Sequence, residues 1–331
     1  MSGSNTSGAL PIYEHKDEIL AAVSAHPVVF VLGKTSCGKS SQVPQFLVSH
    51  EDKLGGSGRV ILVQPRRLVA TSLARRIAAE RGYDRIEDSD VGFKIGGVVS
   101  PNADSAKILV VTYGILMNIL ESGLARFSFI ILDEIHERGF EFDVSLAILR
   151  GKIRHAGMNA KLVLMSATVD VTPLAGYLKE YDLSSATITI SKSVYKVLDY
   201  VLDDLVEKFQ LDHKAASDLL SPPGVDFSPL FTPARRTALI RLVSHLHSQT
   251  PVSAGIIVFL TGISLINEVA QLITENVVGP KKYEIIPLHS SYPLEEQQKA
   301  VERRKGRRKA SSPLTLTSLL HLFNAFLPFS A

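Results

Sequence analysis

Residues 33–40 read Gly33-Lys34-Thr35-Ser36-Cys37-Gly38-Lys39-Ser40, the G-x-x-x-x-G-K-S spacing of a phosphate-cradling P-loop. Backbone N–H groups of such a loop point inward at a helix N-terminus, where the dipole favours anions. Lys39 then reaches the β- and γ-phosphates of a nucleoside triphosphate, and the Ser40 hydroxyl serves Mg²⁺. A second group, Asp133-Glu134-Ile135-His136, lies a hundred residues downstream. P-loop chemistry needs a carboxylate at a neighbouring strand end to hold Mg²⁺, and Asp133 suits that. Glu134 is placed to polarise or deprotonate an attacking water, as a general base must be. Ser40, Asp133 and Glu134 are therefore the candidate metal residues.

The elements that must position these groups are legible as apolar runs. Val28-Val29-Phe30-Val31-Leu32 leads into the loop, and Phe129-Ile130-Ile131-Leu132 leads into Asp133. Val60-Ile61-Leu62-Val63, Ile108-Leu109-Val110-Val111 and Leu162-Val163-Leu164-Met165 are similar. Continuous runs of this kind predict strands buried on both faces. Helical patterns lie between them, at Leu68 to Arg81 and Asp143 to Arg154, and Ser41 to Val48 opens a helix with Pro44 tolerable in the first turn. Alternation of strand and helix predicts an α/β fold with a doubly wound parallel sheet. Ligands bind at the carboxyl ends of such strands, where both groups fall. From Ile188 to Thr237 the pattern loosens around Ser221-Pro222-Pro223-Gly224, with one helix at Asp203 to Leu211. A second α/β unit starts at Gly255 to Leu260 and continues through a helix at Leu265 to Asn276 and a strand at Tyr283 to Leu288.

The chain has 331 residues, 45% hydrophobic and 21% charged, with a net charge of +3. That is enough for two domains, and too little net charge to identify a partner. No stretch supplies the roughly 18 apolar residues of a membrane span, and the N-terminus is too polar for a signal peptide. The single cysteine, Cys37, excludes an internal disulfide and fits a reducing compartment. These features predict a protein of the cytoplasm or nucleus with no membrane partner.

Asp133-Glu134-Ile135-His136 resembles the signature of the DEAH/DExH-box RNA helicases of superfamily 2. Leu10-Pro11-Ile12-Tyr13 is similar to the segment before that family's P-loop, and Gln42-Val43-Pro44-Gln45 to its P-loop extension. Gln64-Pro65-Arg66-Arg67 is similar to motif Ia, Thr112-Tyr113-Gly114 to motif Ib and Ser166-Ala167-Thr168 to motif III. Phe259-Leu260-Thr261-Gly262 resembles motif IV, followed by Leu288-His289-Ser290 and Glu296-Gln297. The resemblance implies a RecA-like domain and ATP, or another NTP, with Mg²⁺ as cofactors. It implies that Gly33, Thr35, Ser36, Cys37, Gly38, Lys39, Ser40 and Ser41 surround the triphosphate and that Arg76 stacks on the base. It makes Lys39, Asp133, Glu134 and His136 the catalytic set. Ser166 and Thr168 would couple hydrolysis to movement of a strand. Arg66, Arg67 and Thr112 would hold the backbone of single-stranded or structured RNA, with a protein activator as a further candidate partner.

The sequence departs from the family in two places. Ser36 stands where the loop normally carries Gly, at a cost of about 1–2 kcal/mol if its φ is positive. Beyond Glu296-Gln297 no match to motifs V and VI follows, and motif VI supplies the arginines that reach the γ-phosphate. The chain instead reads Arg303-Arg304-Lys305-Gly306-Arg307-Arg308-Lys309 and a Ser/Leu/Phe-rich end, expected to be a product of frameshift or intron retention. The expected organisation is a disordered 1–9, a RecA-like ATP-binding domain at 10–187, a connection at 188–250, an incomplete second RecA-like domain at 251–302, and an aberrant basic tail at 303–331. The expected function is the NTP-binding and hydrolysing part of an RNA helicase, with impaired unwinding. The alternative is a non-catalytic nucleotide- or RNA-binding fragment or regulatory module.

Overall fold

The computed structural model describes residues 10–53, 58–122, 124, 126–155, 160–167, 170–192, 198–200, 204, 207, 233–249, 251, 254–260, 262–277, 283–300 and 308–312. The chain divides into two compact units, Met1–Val194 and Tyr195–Ala331.

The first unit is an α/β domain on an eight-stranded sheet. In chain order the strands are β1 (Val28–Gly33), β2 (Val60–Val63), β3 (Val91–Ile95), β4 (Val98–Val99), β5 (Ile108–Val111), β6 (Phe129–Leu132), β7 (Lys161–Ser166) and β8 (Ser185–Ile190). Their spatial order is β4-β3-β5-β2-β6-β7-β1-β8. All neighbours are parallel except the β3–β4 hairpin. The helices are α1 (Lys16–Ala25), α2 (Lys39–Lys53), α3 (Arg67–Glu80), α4 (Tyr113–Ser122), α5 (Phe140–His155) and α6 (Thr172–Lys179).

The five central strands are the five apolar runs of the sequence, and their alternation supplies two cores. Val28, Phe30, Ile61, Val63, Leu109, Val111, Ile130, Leu132, Leu162 and Leu164 pack against Leu116, Leu120, Phe142, Leu146 and Leu178 of α4 to α6. The intervening residues, among them Val29, Val31, Leu62 and Val163, are equally buried and turn to the opposite face, where α1 packs on β1 and on α2. Burying a Phe or Leu of this kind contributes about 1.5–3 kcal/mol.

Two elements differ from the sequence reading. Pro44 lies in the second turn of α2, not the first, and the helix continues through it to Lys53. Pro44 removes one i→i−4 donor, and the burial of Val43, Phe46, Leu47 and Val48 outweighs that loss. The strand beginning at Gly255 is shorter than its apolar run, since only Ile256–Ile257 pairs.

The second unit contains α7 (Pro233–Gln249), β9 (Ile256–Ile257), α8 (Ile263–Asn276), β10 (Tyr283–Pro287), α9 (Leu294–Lys299) and β11 (Arg308–Ser312). Its sheet is parallel, ordered β10-β11-β9, over a core of Val243, Val269, Ile273 and Val277. The central strand β11 lies within the stretch read as a basic tail. Its backbone pairs with both β9 and β10, satisfying donors and acceptors that two separated edge strands would leave open. Of the helix expected at Asp203 to Leu211, only residues 204 and 207 are described. The expected disordered segment 1–9 and residues 313–331 lie outside the described residues. Among the described residues no helix is long and apolar enough to cross a membrane.

Candidate functional site

Parallel pairing brings the candidate residues to one edge of the sheet. Val63 is in register with Val111 and with Leu132, and Leu32 with Ser166. The residues that follow β1, β2, β5 and β6, beginning with Lys34, Gln64, Thr112 and Asp133, therefore emerge together. Ser166, the last residue of β7, lies between the P-loop strand and the Asp133 strand.

The loop after β1 is closely backed. Gly33 has no room for a side chain, since a Cβ there would lie 2.9 Å from Ile190 Cβ. Gly38 has φ +103°, and a Cβ would come within 2.8 Å of Ile12 Cγ2. Ile12 also donates its N–H to the Cys37 carbonyl at 3.1 Å, and Cys37 is fully buried. Thr35 and Ser36 face outward. Lys39 is only 7% exposed. Its Nζ donates to the carbonyl of Gly33 and, at 3.2 Å, to that of Lys34. Gln42 N–H donates to Gly38 O at 2.9 Å, so α2 begins at the loop and directs its N-terminal N–H groups into it. Ser41 is buried, its hydroxyl accepting from Gln42 Nε2 at 3.1 Å.

Ser36 has φ 67°, the left-handed conformation anticipated from the missing glycine. Relief of about 1–2 kcal/mol of strain, less roughly 0.5–1 kcal/mol of glycine backbone entropy, makes Ser36→Gly stabilising by about 0.5–1 kcal/mol. Thermal unfolding should show a midpoint raised by about 2–3 °C. An unchanged or lowered midpoint would show that the loop relaxes at no cost.

Asp133 is 1% exposed. Burial raises its pKa, opposed by the Ser40 hydroxyl, by Gln64 and by the Glu134 N–H. Gln64 Nε2 donates to Oδ2 at 2.6 Å, and Glu134 N–H donates to Oδ1 at 2.9 Å. Glu134, half-buried, is pushed up to about 7 by burial first and by the Asp133 charge second. Its backbone is left-handed, φ 54°, as is that of Arg138, φ 46°, and between them Ile135–Glu137 forms one 3₁₀ turn. Two non-glycine residues in that region mark a strained loop. His136 Nδ1 lies 3.4 Å from Glu134 Oε2 and 3.4 Å from Ser166 Oγ. Ser166 is fully buried. Thr168 lies outside the described residues.

The remaining candidates are engaged with the protein. Arg66 Nη2 donates to Glu137 Oε1 at 2.9 Å, and Arg67 Nη2 to the Gly96 carbonyl at 2.8 Å. The Thr112 carbonyl accepts from the N–H groups of Ile115 and Leu116 and so starts α4. Arg76 Nε donates to Glu80 Oε1 at 2.8 Å, while Glu80 Oε2 accepts from Gln42 at 2.7 Å and Gln45 at 3.0 Å. Sequence reasoning missed Gln64 and Glu137 as members of the site. Gln64 could have been found by the rule that found Asp133, since each is the first polar residue after a buried strand.

Ser40 and Asp133 offer hard oxygen donors side by side, with Glu134 next to Asp133, which fits Mg²⁺. Among the described residues no three His, Cys, Asp or Glu side chains gather to hold a metal. An ion held by phosphates and one or two carboxylates needs no such cage.

A P-loop at the end of a parallel strand, with an acidic pair ending a strand two places away in the sheet, defines a P-loop nucleotide-binding domain of RecA-like architecture. Residues 13–175, within the first unit, match the DEAD/DEAH box helicase family. It is 33% identical over 318 residues to a probable ATP-dependent RNA helicase spindle-E of Aedes aegypti, spanning 91% of this chain and 23% of that one. It is 29% identical over 332 residues to the ATP-dependent RNA helicase DHX30 of Gallus gallus, spanning 96% of this chain and 26% of the relative. The chain thus spans about a quarter of these relatives. Its fold is similar to the Escherichia coli DEAH/RHA helicase HrpB, with a TM-score of 0.69 at 24% identity over 92% of this chain and 34% of that one.

Proposed function

We propose that this chain is the nucleotide-binding and hydrolysing part of a DExH-box RNA helicase, using ATP or another NTP with Mg²⁺. The observation that carries the reading is the placement of Lys39, Ser40 and the buried Asp133 at one sheet edge, with Glu134 beside them. Ser40 and Asp133 would hold Mg²⁺, which would supply positive charge against the charge that develops on the phosphates. The chain's own part is to grip the phosphates with loop N–H groups and Lys39, to present oxygens from Ser40 and Asp133, and to accept a proton from water at Glu134. A carboxyl titrating near neutrality suits that exchange. His136, in reach of both Glu134 and Ser166, connects the hydrolytic carboxylate to the end of β7.

Single-stranded or structured RNA is the proposed partner, its phosphates taken by Arg66 and Arg67 beside Thr112. Arg66 must then leave Glu137. An exposed ion pair of this kind is worth about 0.2–1 kcal/mol. Glu137→Gln should therefore tighten single-stranded RNA binding by roughly 2–5-fold, and Arg66→Ala should weaken it with a shallower salt dependence. Fluorescence anisotropy over a salt series measures both. RNA affinity unchanged by Arg66→Ala would remove this edge as the RNA contact.

The isolated chain is expected to bind nucleotide and to show little RNA-stimulated turnover, because its matches to the family motifs stop at Gln297. A nucleotide hydrolysis assay with and without single-stranded RNA tests this, and strong stimulation overturns it.

A further inference from the structure

Gln64 follows Val63 at the end of β2, where an apolar run turns polar, and is 1% exposed. Its backbone is fixed just beyond the ladder, its N–H donating to the Val111 carbonyl at 2.8 Å, while the Asp133 N–H donates to the Val63 carbonyl at 3.1 Å. Because Val63 and Leu132 are in register, Gln64 and Asp133 stand at the same step on adjacent strands. Their side chains meet at 2.6 Å, Nε2 donating to Oδ2. With Oδ1 taken by the Glu134 N–H, the carboxylate of Asp133 is fixed in orientation from both sides.

The other end of the amide is unpaired. Gln64 Oε1 is buried and has no hydrogen-bond partner among the described residues. Leaving such an acceptor unsatisfied costs about 1–3 kcal/mol, and methionine or leucine would fill the position without that cost. A buried, unpaired acceptor beside a metal-binding carboxylate complements a donor that arrives with the ion. Mg²⁺ dehydrates reluctantly and keeps several waters, and their O–H groups are polarised donors. Groups that orient a ligand and receive hydrogen bonds around a metal commonly control its affinity.

We infer that Gln64 is an outer-sphere residue of the metal site, orienting the Asp133 carboxylate through Nε2 and accepting a hydrogen bond from the ion's hydration shell through Oε1. This rests on the reading of Asp133 as a metal residue. Gln64 is a positioning residue and not a catalytic one, since it acts through Asp133 and the ion's water.

The test is ADP binding to the full 331-residue chain by calorimetry, in excess Mg²⁺ and in EDTA. The readout is the gain in affinity that Mg²⁺ confers. Gln64→Met, which matches the volume and removes both polar atoms, should reduce that gain by about tenfold or more while leaving affinity in EDTA within about twofold of the parent. In an Asp133→Asn background the same substitution should have no further effect. Should Gln64→Met fail to fold, Gln64→Asn, which keeps a buried amide but is one methylene too short to reach Asp133, carries the same expectation. A full Mg²⁺ gain in a folded Gln64 variant, or an equal loss in EDTA, overturns the inference. If Asp133→Asn itself keeps the gain, the reading of the metal site fails first. If Asp133→Asn loses the gain and Gln64→Met keeps it, only the role of Gln64 fails.

Discussion

Lys39→Ala is expected to weaken nucleotide binding by at least about 100-fold, because it removes two or more charge-assisted hydrogen bonds to phosphate worth roughly 1.5–3 kcal/mol each. The structure sharpens this expectation. The Lys39 ammonium is almost fully buried and already held by the Gly33 and Lys34 carbonyls, so it is aimed inward across its own loop and not out to solvent. Its loss leaves those carbonyls with one donor fewer, at a stability cost of about 1 kcal/mol. Thermal unfolding should therefore fall by a few degrees at most while calorimetric binding disappears. Lys39→Arg should not restore binding, since a planar fork cannot occupy a site shaped around a point charge. A Lys39→Ala protein that binds ADP within tenfold of the parent would place the phosphates elsewhere.

The second large effect concerns Glu134. Glu134→Gln is expected to lower turnover by about 10²–10⁴-fold, the usual worth of a general base, with nucleotide affinity nearly unchanged. It should also make the protein more stable at alkaline pH. The sign follows from linkage. The carboxyl titrates near 4.5 when unfolded and is pushed up to about 7 in the fold. The folded state thus binds this proton more tightly. The corresponding stabilisation is complete below 4.5 and is lost as pH rises to 7, above which the fold carries a partly buried charge next to Asp133. Glutamine has no such titration. Without metal or nucleotide, the midpoint of Glu134→Gln should exceed that of the parent at pH 8 and approach it at pH 5. Curves that stay parallel from pH 5 to 8 would show that Glu134 titrates like an exposed carboxylate. The trade of stability for activity at such a residue is a common one.

What could be read from the chain divides along physical lines. Strands buried on both faces declare themselves as unbroken apolar runs, which is why β1, β2, β5, β6 and β7 were legible, and with them the loop and the acidic pair at their ends. β8 was not legible, because its Ser185-Ala186-Thr187-Ile188-Thr189-Ile190 has only two buried positions, Ile188 and Ile190, beside exposed threonines at the sheet edge. β3 contains Gly92, whose missing side chain lets Ala103 approach to within 2.8 Å of where a Cβ would sit, a tertiary fact with no local signal. The same limit applies within the site. Arg66 and Glu137 meet across 71 residues of sequence, and no spacing rule announces such a pair. The left-handed backbone at Glu134 was hidden as well, since a glutamate does not advertise a positive φ as a glycine does. Ser36 was the opposite case, where a missing glycine pointed directly to the strain the structure contains.

The wall behind the P-loop carries a practical consequence. Ile12 fills the space beside Gly38 and ties its N–H to the Cys37 carbonyl, and Leu10 reaches within 3.2 Å of where a Gly38 side chain would begin. The loop is therefore shaped by residues that precede its strand, across a helix, and not by its own eight positions alone. Any shortened version of this protein intended to keep a working nucleotide pocket has to begin no later than Leu10. One trimmed to the start of β1 would preserve every residue of the motif and lose the surface that moulds it.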